Sequence, residues 1–452
     1  MSLWFQAALL LIVIFTPISI QLAHFGTTES LLMFFTMALF YVSFQYQSGK
    51  YGSERYLGLS ALILGLAIGT KVSMAPFLVV PIVVSVSNLQ KSEHFSYLKI
   101  FFITVKFVLM TAMFALFASP YNVISFSDFL GSMHYESGVG TGTLPVFYTQ
   151  QFQYSVPLLF QAVRIFPYAL GWPIFLLSLY GVIFLPWKSF YNLVRLLLVV
   201  AVIPAAFLYA KWTRFIAPAY PLMVLLAALS VMDIYYKFRT AQYGKYAQFA
   251  IGLTLFISVV PGVAFLSIYQ NPDVRFQASA WMYRTIPRGS NILSETANTV
   301  DLPIPSSLTS RNEEVTWSTR SYVSFNFYDL QQESSLQQQL RYVLPNTDVI
   351  VVPTRRVFAN YTCIYPSDFD ANPGYGYNPN RCDSLRQNFP LLTQYYTGLF
   401  NNLQGFQLTA EFHSYPRIEL FGLKLEFPDE AAEETFTVFD HPVVRVYTRI
   451  NN

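Results

Sequence analysis

Charged side chains are scarce in this chain of 452 residues, because Lys, Arg, Asp and Glu make up only 12% of it. Soluble globular domains contain roughly 25%, so the composition excludes an ordinary soluble enzyme as a description of the whole chain. The formal net charge is only +3. This excludes a strongly basic nucleic-acid binder, and we expect no nucleic-acid partner.

Cysteine is almost absent, and the two cysteines, Cys363 and Cys382, lie in the polar C-terminal part. Two cysteines are too few for a zinc cage. A disulfide between them, suited to an oxidising compartment, and two free thiols are equally open. The histidines show no metal-ligand spacing, and no hydrolase or metalloprotease motif occurs. A divalent cation is the one cofactor that the sequence leaves open.

The few charges are unevenly distributed. Residues 1–269 hold 14 Lys/Arg and 6 Asp/Glu, whereas residues 270–452 hold 14 and 19. We therefore predict an α-helical polytopic membrane domain over 1–269, followed by an extracytoplasmic mixed α/β domain over 270–452. Nine apolar runs are long enough to cross or re-enter a bilayer: 3–21, 30–47, 57–69, 72–87, 100–118, 157–184, 193–210, 216–235 and 247–269. The third and fourth are short and meet at Lys71, which predicts a tight hairpin or a broken helix.

Basic residues occur in alternate loops, and such loops face the cytoplasm. They lie at 50–55, 91–99, 188–195 and 237–245. The loops at 22–29 and 119–156 contain no Lys or Arg. We therefore expect an integral protein of the plasma (inner) membrane, with these two loops and the C-terminal domain outside.

Beyond residue 271 the pattern changes to short apolar runs between turns. These predict strands at 291–293, 348–352, 436–439 and 443–447, a helix over 330–344 and a long loop over 366–383. Four ionisable residues surround the third predicted strand: Glu433, Glu434, Asp440 and His441. We expect them to form a solvated face.

Three basic residues break the orientation rule, because Lys71, Lys211 and Arg214 lie at predicted outer ends of membrane segments. An anionic ligand such as a lipid phosphate would require fixed cations there, and arginine grips phosphate through two parallel bonds. The alternative is side chains that reach the headgroups without selectivity.

The first outer loop contains His24 and Glu29. Ionisable residues at the membrane boundary predict polar or acid-base groups that face a cavity. In the alternative, Thr27 or Thr28 caps the next helix and Glu29 interacts with its dipole.

The second outer loop is glycine-rich and contains His134, Tyr135 and Glu136. Its spacing fits neither a dinucleotide fingerprint nor a phosphate loop. It is predicted either to be a mobile loop that closes over a substrate or to be a plain surface loop.

Several runs resemble membrane glycosyltransferases of the GT-C class. They are HFGTTESLLMFF from His24, GLAIGTKVSMAPFLVVP from Gly65, YESGVGTGTLPVFYTQQF from Tyr135, KWTRFIAPAYPLMVLLAAL from Lys211 and EETFTVFDHPVVRVY from Glu433. The closer resemblance is to glycosyltransferase family 39, which includes protein O-mannosyltransferases and the aminoarabinose transferases of lipid A. It spans most of the chain.

The resemblance implies transfer of a sugar from a polyprenyl-phosphate donor to a protein, lipid or glycan acceptor at the outer face. His24 and Glu29 match the family's motif of a histidine followed by an acidic residue. Lys71 and Arg214 match basic positions that the class is expected to use on the lipid phosphate, and we group Lys211 with them.

The class also uses an essential carboxylate, usually an aspartate in the first outer loop, and this sequence contains no matching loop. Two explanations are open: the chain is truncated at its N-terminus, with the main catalytic aspartate upstream of Met1 and activity lost in this form, or it is an intact protein without that aspartate. We favour truncation. Two other functions stay open: a transporter or flippase of an anionic lipid, and a non-catalytic membrane-anchored glycan-binding module.

Overall fold

The structure is a computed structural model that describes residues 3–90, 96–238, 244–296, 300–304, 321–367 and 378–450. Contacts divide the chain into two compact units. The first comprises Met1–Thr143 and Pro157–Gly262, and the second comprises Leu144–Val156 and Val263–Asn452. The segment Leu144–Val156 thus packs with the C-terminal residues, although it lies between apolar runs in the sequence.

The first unit consists of helices. They are α1 (Leu3–Ile14), α2 (Pro17–His24), α3 (Glu29–Gln47), α4 (Ser53–Thr70), α5 (Val79–Leu89), α6 (Tyr97–Ala118), α7 (Tyr121–Ile124), α8 (Phe126–Thr141), α9 (Phe166–Leu170), α10 (Trp172–Phe184), α11 (Ser189–Phe207), α12 (Tyr220–Phe238) and α13 (Gly244–Leu266), whose end belongs to the second unit. Two 3-10 turns, Val72–Leu78 and Thr213–Ala219, precede α5 and α12.

Several of these helices are long and apolar enough to cross a membrane. The described residues contain five such helices, or six if one sharply bent pair counts as a span. The bend is 117° between Leu170 and Trp172, where Gly171 takes a φ of +79°. The predicted run 3–21 is likewise divided, because α1 ends before Thr16 and α2 begins at Pro17. The protein is therefore an integral membrane protein with fewer full spans than its nine apolar runs.

The pairing of α4 with α6 depends on two glycines one turn apart. A Cβ atom at Gly65 would lie 2.3 Å from the Phe114 Cβ, and one at Gly69 would lie 2.6 Å from the Ala118 Cβ. Small residues at this spacing let membrane helices approach closely. The contact fixes the end of α4, after which Lys71 is extended with φ −156° and ψ 121°. The predicted break at Lys71 is confirmed.

The second unit contains a five-stranded sheet and a separate hairpin. Its elements are α14 (Val274–Thr285), β1 (Asn291–Glu295), β2 (Ser321–Phe325), α15 (Ser334–Val343), β3 (Val349–Val352), α16 (Arg356–Tyr361), α17 (Pro379–Asn388), α18 (Pro390–Phe400), β4 (Phe406–Phe412), β5 (Arg417–Leu420), β6 (Leu423–Glu426), α19 (Glu434–Val438) and β7 (Val444–Arg449). The sheet order is β2-β1-β3-β7-β4, and β5 pairs only with β6. β1 pairs in parallel with β2 and β3, whereas β7 runs antiparallel to β3 and β4.

The sheet has helices on both faces, because the side chains of its strands point alternately to one face and to the other. Val349 and Val351 of β3 pack with Ala278 and Met282 of α14 in one core, and successive strand side chains point to opposite faces. On the other face, Phe400 of α18 contacts Tyr447 of β7 at a ring distance of 6.1 Å. The predicted mixed α/β architecture is confirmed, together with three of its strands and the α15 helix.

Two local predictions for this unit are wrong. The run 436–439 has strand-like composition, but Glu433 accepts a bond from the Thr435 amide at 3.0 Å and begins the helix α19. The predicted loop 366–383 extends too far, because Asn378 caps α17 and residues 379–383 are helical. The rest of that loop, 368–377, lies outside the described residues, as do parts of the basic loops 91–99 and 237–245.

A disulfide joins Cys363 to Cys382, with their Cα atoms 5.5 Å apart. It links the segment after α16 to the first turn of α17. Arg381, beside one of the cysteines, is buried and donates to the Ala359 carbonyl oxygen at 2.8 Å. The disulfide thus closes a region that hydrogen bonds also hold together.

Candidate functional site

Charged residues of the first unit lie where three helical segments begin or break. Glu29 begins α3, Lys71 follows α4, and Lys211 lies between α11 and the turn Thr213–Ala219. The chain around Lys211 leaves the helix because Leu208 is extended, with φ −62° and ψ 155°, as is Trp212, with φ −68° and ψ 146°. Breaks of this kind expose backbone groups and place polar side chains at helix ends.

Glu29 and Lys71 form an ion pair. The Lys71 Nζ lies 2.7 Å from the Glu29 Oε1, and the glutamate side chain is only 4% exposed whereas that of the lysine is 30% exposed. A carboxylate is also favourable at the start of a helix such as α3. Thr28, at the N-cap position of α3, forms no side-chain cap, whereas the position of Glu29 agrees with the part of the alternative that concerns the helix dipole. Glu29 holds the lysine in place, and Lys71 keeps further donors for a ligand.

Lys211 is buried, with 4% of its surface exposed. Its Nζ donates to the Tyr209 carbonyl oxygen at 3.1 Å. Burial lowers the pKa of this loop lysine to about 8. A buried cation with a single acceptor of this kind is stabilised by an anion placed beside it.

Arg214 is the exposed cation of the cluster. Its guanidinium carbon lies 5.4 Å from the centre of the Trp212 ring and 5.9 Å from that of Phe215. The Lys71 Nζ lies 5.6 Å from the same Phe215 ring. Phe215 therefore brings Lys71 and Arg214 to one place, and the buried Trp212 follows Lys211 directly.

We call these residues the cation cluster: Glu29, Lys71, Lys211, Trp212, Arg214 and Phe215. Three positive charges and one negative charge give it a formal charge of +2. Arginine offers a planar fork for two phosphate oxygens, and each lysine offers a point charge. The cluster has the chemistry of an anion site at the ends of membrane helices.

His24 ends the helix α2, which precedes Glu29. It is exposed at the end of α2, and its ring lies 6.4 Å from that of Phe25. The start of α3 is tied to α2 by a bond of 2.6 Å from the Ser30 hydroxyl to the Leu22 carbonyl oxygen. The predicted catalytic role of His24 stays a prediction.

The predicted substrate loop is a helix, and the loop prediction is therefore wrong. His134, Tyr135 and Glu136 are exposed on α8, which ends where Gly142 takes a φ of +79°. A Cβ atom on Gly142 would lie 2.6 Å from the Tyr209 ring. The glycines thus serve to end the helix and to pack it closely.

The end of α8 nevertheless reaches the segment that carries Lys211. The Ala210 amide donates to the Gly140 carbonyl oxygen at 3.2 Å. His134 also lines an open groove along α8 with Leu130, Met133 and Ser137. The structure therefore brings the C-terminal end of α8 to the Lys211 segment. His134, Tyr135 and Glu136 lie closer to the middle of the helix.

The predicted solvated face in the second unit is also wrong, because its acidic residues are buried. Glu434 is 0% exposed and accepts bonds of 3.1 Å from both Gln151 and Asn360. The Arg356 Nε lies 3.5 Å from it. Burial raises the pKa of Glu434, and the charge of Arg356 works against this rise. Buried partners from two distant parts of the chain surround Glu434, so this cluster lies in the interior of the unit.

His441 is buried between two aspartates. Its Nε2 lies 2.8 Å from Asp429 and its Nδ1 lies 3.3 Å from Asp440, which also accepts a bond of 2.8 Å from Tyr269. Burial alone would lower the pKa of His441, but the two carboxylates outweigh it and raise the pKa to about 10. The imidazole is therefore protonated at neutral pH and holds the aspartates together.

The arginines of this network were not predicted from the sequence. Arg355 and Arg356 follow the buried strand β3 after two residues, and Arg355 donates to the Thr437 hydroxyl at 2.9 Å. Two arginines so close to the end of a fully buried strand require partners, and this was the available signal. Among the described residues no group of three or more His, Cys, Asp or Glu side chains is arranged to hold a metal ion.

No protein-family model and no curated protein matches the chain. Among solved structures, two cryo-EM structures of the arabinofuranosyltransferase AftD from mycobacteria are similar to it. The first, of a mutant, is 12% identical with a TM-score of 0.32, and the match covers 98% of this chain and 32% of that one. The second is 13% identical with a TM-score of 0.33, and the match covers 94% and 30%. The chain thus spans about a third of the length of these structures.

Proposed function

We propose that the protein is a membrane glycosyltransferase of the GT-C class, related to family 39, which takes a sugar from a polyprenyl-phosphate donor. The observation that carries this proposal is the cation cluster, in which Lys71 after α4 and Lys211 with Arg214 before α12, together with Glu29, leave a formal charge of +2. A lipid phosphate at the outer face of the plasma membrane would supply the complementary charge. The sequence motifs around these residues support the same class.

In such a transfer the acceptor hydroxyl oxygen forms a bond to the anomeric carbon, and the bond from that carbon to the phosphate oxygen breaks. The electron pair leaves with the phosphate, and the acceptor proton passes to a base. We assign Arg214 to two phosphate oxygens and the lysines to the charge that develops on the leaving group. The acceptor is a protein, lipid or glycan.

The ion pair of Glu29 with Lys71 supports a positioning role for the glutamate. The proposal that Glu29, with His24, also takes the acceptor proton rests on the family motif. A carboxylate bound to a lysine at 2.7 Å is a weaker base than a free one, because the neighbouring cation favours its charged form. Glu29→Gln keeps an oxygen that can accept from Lys71 but cannot take up the acceptor proton, so donor binding that survives in this variant while transfer is lost would point to the base role.

A second candidate, a transporter or flippase of an anionic lipid, is favoured by one observation. Two membrane segments are interrupted in the same way, by an extended residue and then a seven-residue 3-10 turn that contains a proline, Pro76 in one and Pro218 in the other. Paired broken helices line substrate sites in transporters. The experiment below therefore measures movement of the donor as well as transfer of its sugar.

The experiment uses the purified chain, alone and extended by the sequence encoded upstream of Met1, in proteoliposomes with radiolabelled polyprenyl-phosphate sugars, a membrane extract as acceptor, and EDTA or a divalent cation. Loss of one charge-assisted contact costs about 1.5–3 kcal/mol, so we expect Arg214→Ala to reduce transfer about 10- to 100-fold. The matched control is Arg55→Ala. Arg55 also stacks on an aromatic ring, that of Tyr51 at 4.2 Å, but near the opposite end of α4.

Wild-type transfer that survives Arg55→Ala and falls with Arg214→Ala would support the proposal. Equal transfer by both variants would contradict the assignment of Arg214 to the donor phosphate. Movement of the intact donor across the bilayer without sugar transfer would establish the second candidate instead.

A further inference from the structure

The hairpin formed by β5 and β6 stands apart from the five-stranded sheet of its unit. Its strands pair only with each other, and Ile418 faces Leu425 while Leu420 faces Leu423. Side chains alternate along a strand, so these four apolar residues share one face. The opposite face carries only charged residues, paired as Arg417 with Glu419 at 2.8 Å and Lys424 with Glu426 at 2.7 Å. The hairpin is therefore amphipathic.

The apolar face is open and has no cover within the described residues. The exposed fractions are 60% for Leu420, 78% for Leu423, 57% for Leu425 and 103% for Phe421 at the turn. Exposed apolar groups that adjoin one another mark sites of protein or membrane contact. Isolated apolar side chains would need no explanation, but four on one small hairpin do.

The turn keeps an aromatic residue in an unfavourable backbone conformation. Phe421 has a φ of +52° and Gly422 a φ of +81°. Two-residue turns with two positive φ angles favour Asn-Gly, because a bulky residue is strained there. A phenylalanine at the tip therefore opposes both the backbone preference and the exposure to water, unless its ring has an apolar environment.

The base of the hairpin is held beside the last membrane helix. The Arg417 amide donates to the Ser267 hydroxyl at 2.9 Å, and the Ser414 hydroxyl donates to the Ile268 carbonyl oxygen at 3.4 Å. Ser267 and Ile268 belong to the turn that directly continues α13, within the apolar stretch Gln248–Thr285. A strand of four residues is about 13 Å long. The tip of the hairpin therefore lies about that far from its base, where Arg417 contacts the residue that follows α13.

We propose that this hairpin inserts its apolar face into the lipid bilayer at the end of α13. The bilayer is the occupant that the position of the hairpin base favours, because amphipathic elements bury their apolar faces about 5–10 Å deep at the headgroup boundary. The charged face has two basic and two acidic residues and so no net charge. Insertion therefore depends on apolar contact and needs no anionic lipid.

Site-directed spin labelling of the full chain in phosphatidylcholine nanodiscs tests this inference. The two native cysteines are joined in the disulfide, so an introduced cysteine provides a unique label. Labels at Leu423→Cys and Lys424→Cys occupy neighbouring positions on opposite faces. Leu420→Cys and Glu419→Cys repeat the comparison on the other strand.

We expect labels at 420 and 423 to be several-fold more accessible to oxygen than to a water-soluble nickel reagent, and labels at 419 and 424 to show the reverse preference. Equal exposure of both faces to the nickel reagent would place the hairpin in water and overturn the proposal. Protection of the apolar face from both reagents would also overturn it, because a second copy or another protein would then cover that face.

Discussion

The two compact units differ in where they keep their charged side chains. In the membrane unit the charges of the cation cluster lie at helix ends and breaks, as Lys71 does after α4, and the buried Arg195 of α11 donates to the Val182 carbonyl oxygen in the last turn of α10. The second unit pairs opposite charges in its interior, where Arg445 and Glu434 are both 0% exposed. Lipid gives a charge few partners, whereas the interior of a folded α/β unit can surround it with partners from several elements.

This difference teaches that charge density along the sequence identifies the environment of a unit but not the position of each charge within it. Several of the sparse charges of the membrane unit lie at helix breaks, and several charges of the second unit pair in its interior. The expected consequence is that charge substitutions affect ligand binding in the first unit and stability in the second.

The largest effect is expected for Arg445→Met in the second unit. Arg445 lies 2.7 Å from Glu430 and 3.1 Å from Glu411, and its removal leaves buried carboxylates without their cation. This costs about 3–5 kcal/mol in the free energy of unfolding, measured by denaturant titration of the full chain in detergent. The control is Arg386→Met, whose pair with Asp383 is 65% and 63% exposed and is worth at most about 1 kcal/mol. Equal losses in the two variants would contradict the contrast.

A pH-dependent effect is expected for Glu295→Gln. Glu295 ends β1 with 1% exposure, and burial raises its pKa to about 8 although the nearby Tyr396 hydroxyl acts in the opposite direction. Its carboxyl thus stays protonated in the folded chain while the unfolded chain ionises. Its contribution to stability is present below its ordinary pKa of 4.5 and declines by about 1.4 kcal/mol per pH unit as the pH rises to about 8.

Thermal unfolding between pH 4 and pH 9 tests this prediction. The difference in melting temperature between Glu295→Gln and the wild type should shift in favour of the variant as the pH rises, and then level off near pH 8. A constant difference over the whole range would show that Glu295 titrates in the same way in the folded and unfolded chains.

A smaller effect is expected in the membrane unit from Gly65→Ala. The new Cβ atom would lie 2.3 Å from that of Phe114, so α4 and α6 must separate, at a cost of about 1–3 kcal/mol. At Gly58, on the same helix, the nearest atom to a new Cβ is 3.9 Å away, and Gly58→Ala should leave the melting temperature in detergent unchanged. Because alanine has a higher helix propensity than glycine, a similar loss for both variants would show that the close contact at Gly65 does not decide the result.

Much of the fold was predictable because hydropathy reports average burial. The apolar runs located most helices of the membrane unit, and the short runs that meet at Lys71 indicated a break. Short apolar runs also located β1, β3 and β7. Hydropathy does not show how far a run continues through a bend, and so Gly171 and Pro17 divided two predicted segments.

The parts that were missed depend on pairing between distant residues. The glycines of α8 led to the prediction of a loop. Gly142 instead packs against Tyr209, and such a tertiary contact cannot be seen in the local sequence. The buried state of Glu434 depends on Gln151 and Asn360, which are far away in the sequence. For the candidate site, the sequence identified the cations at the helix breaks, but not that Glu29 pairs with Lys71 or that Phe215 connects Lys71 with Arg214. The functional roles of these residues stay predictions.

The central claim is that the cation cluster binds a lipid phosphate, and the most direct measurement is the binding of polyprenyl phosphate to the purified chain by native mass spectrometry. The account predicts that the wild type and Arg55→Ala bind it equally, and that the double variant Lys211→Ala/Arg214→Ala binds it at least about 100-fold more weakly. Binding by the double variant that equals that of the wild type would contradict the account.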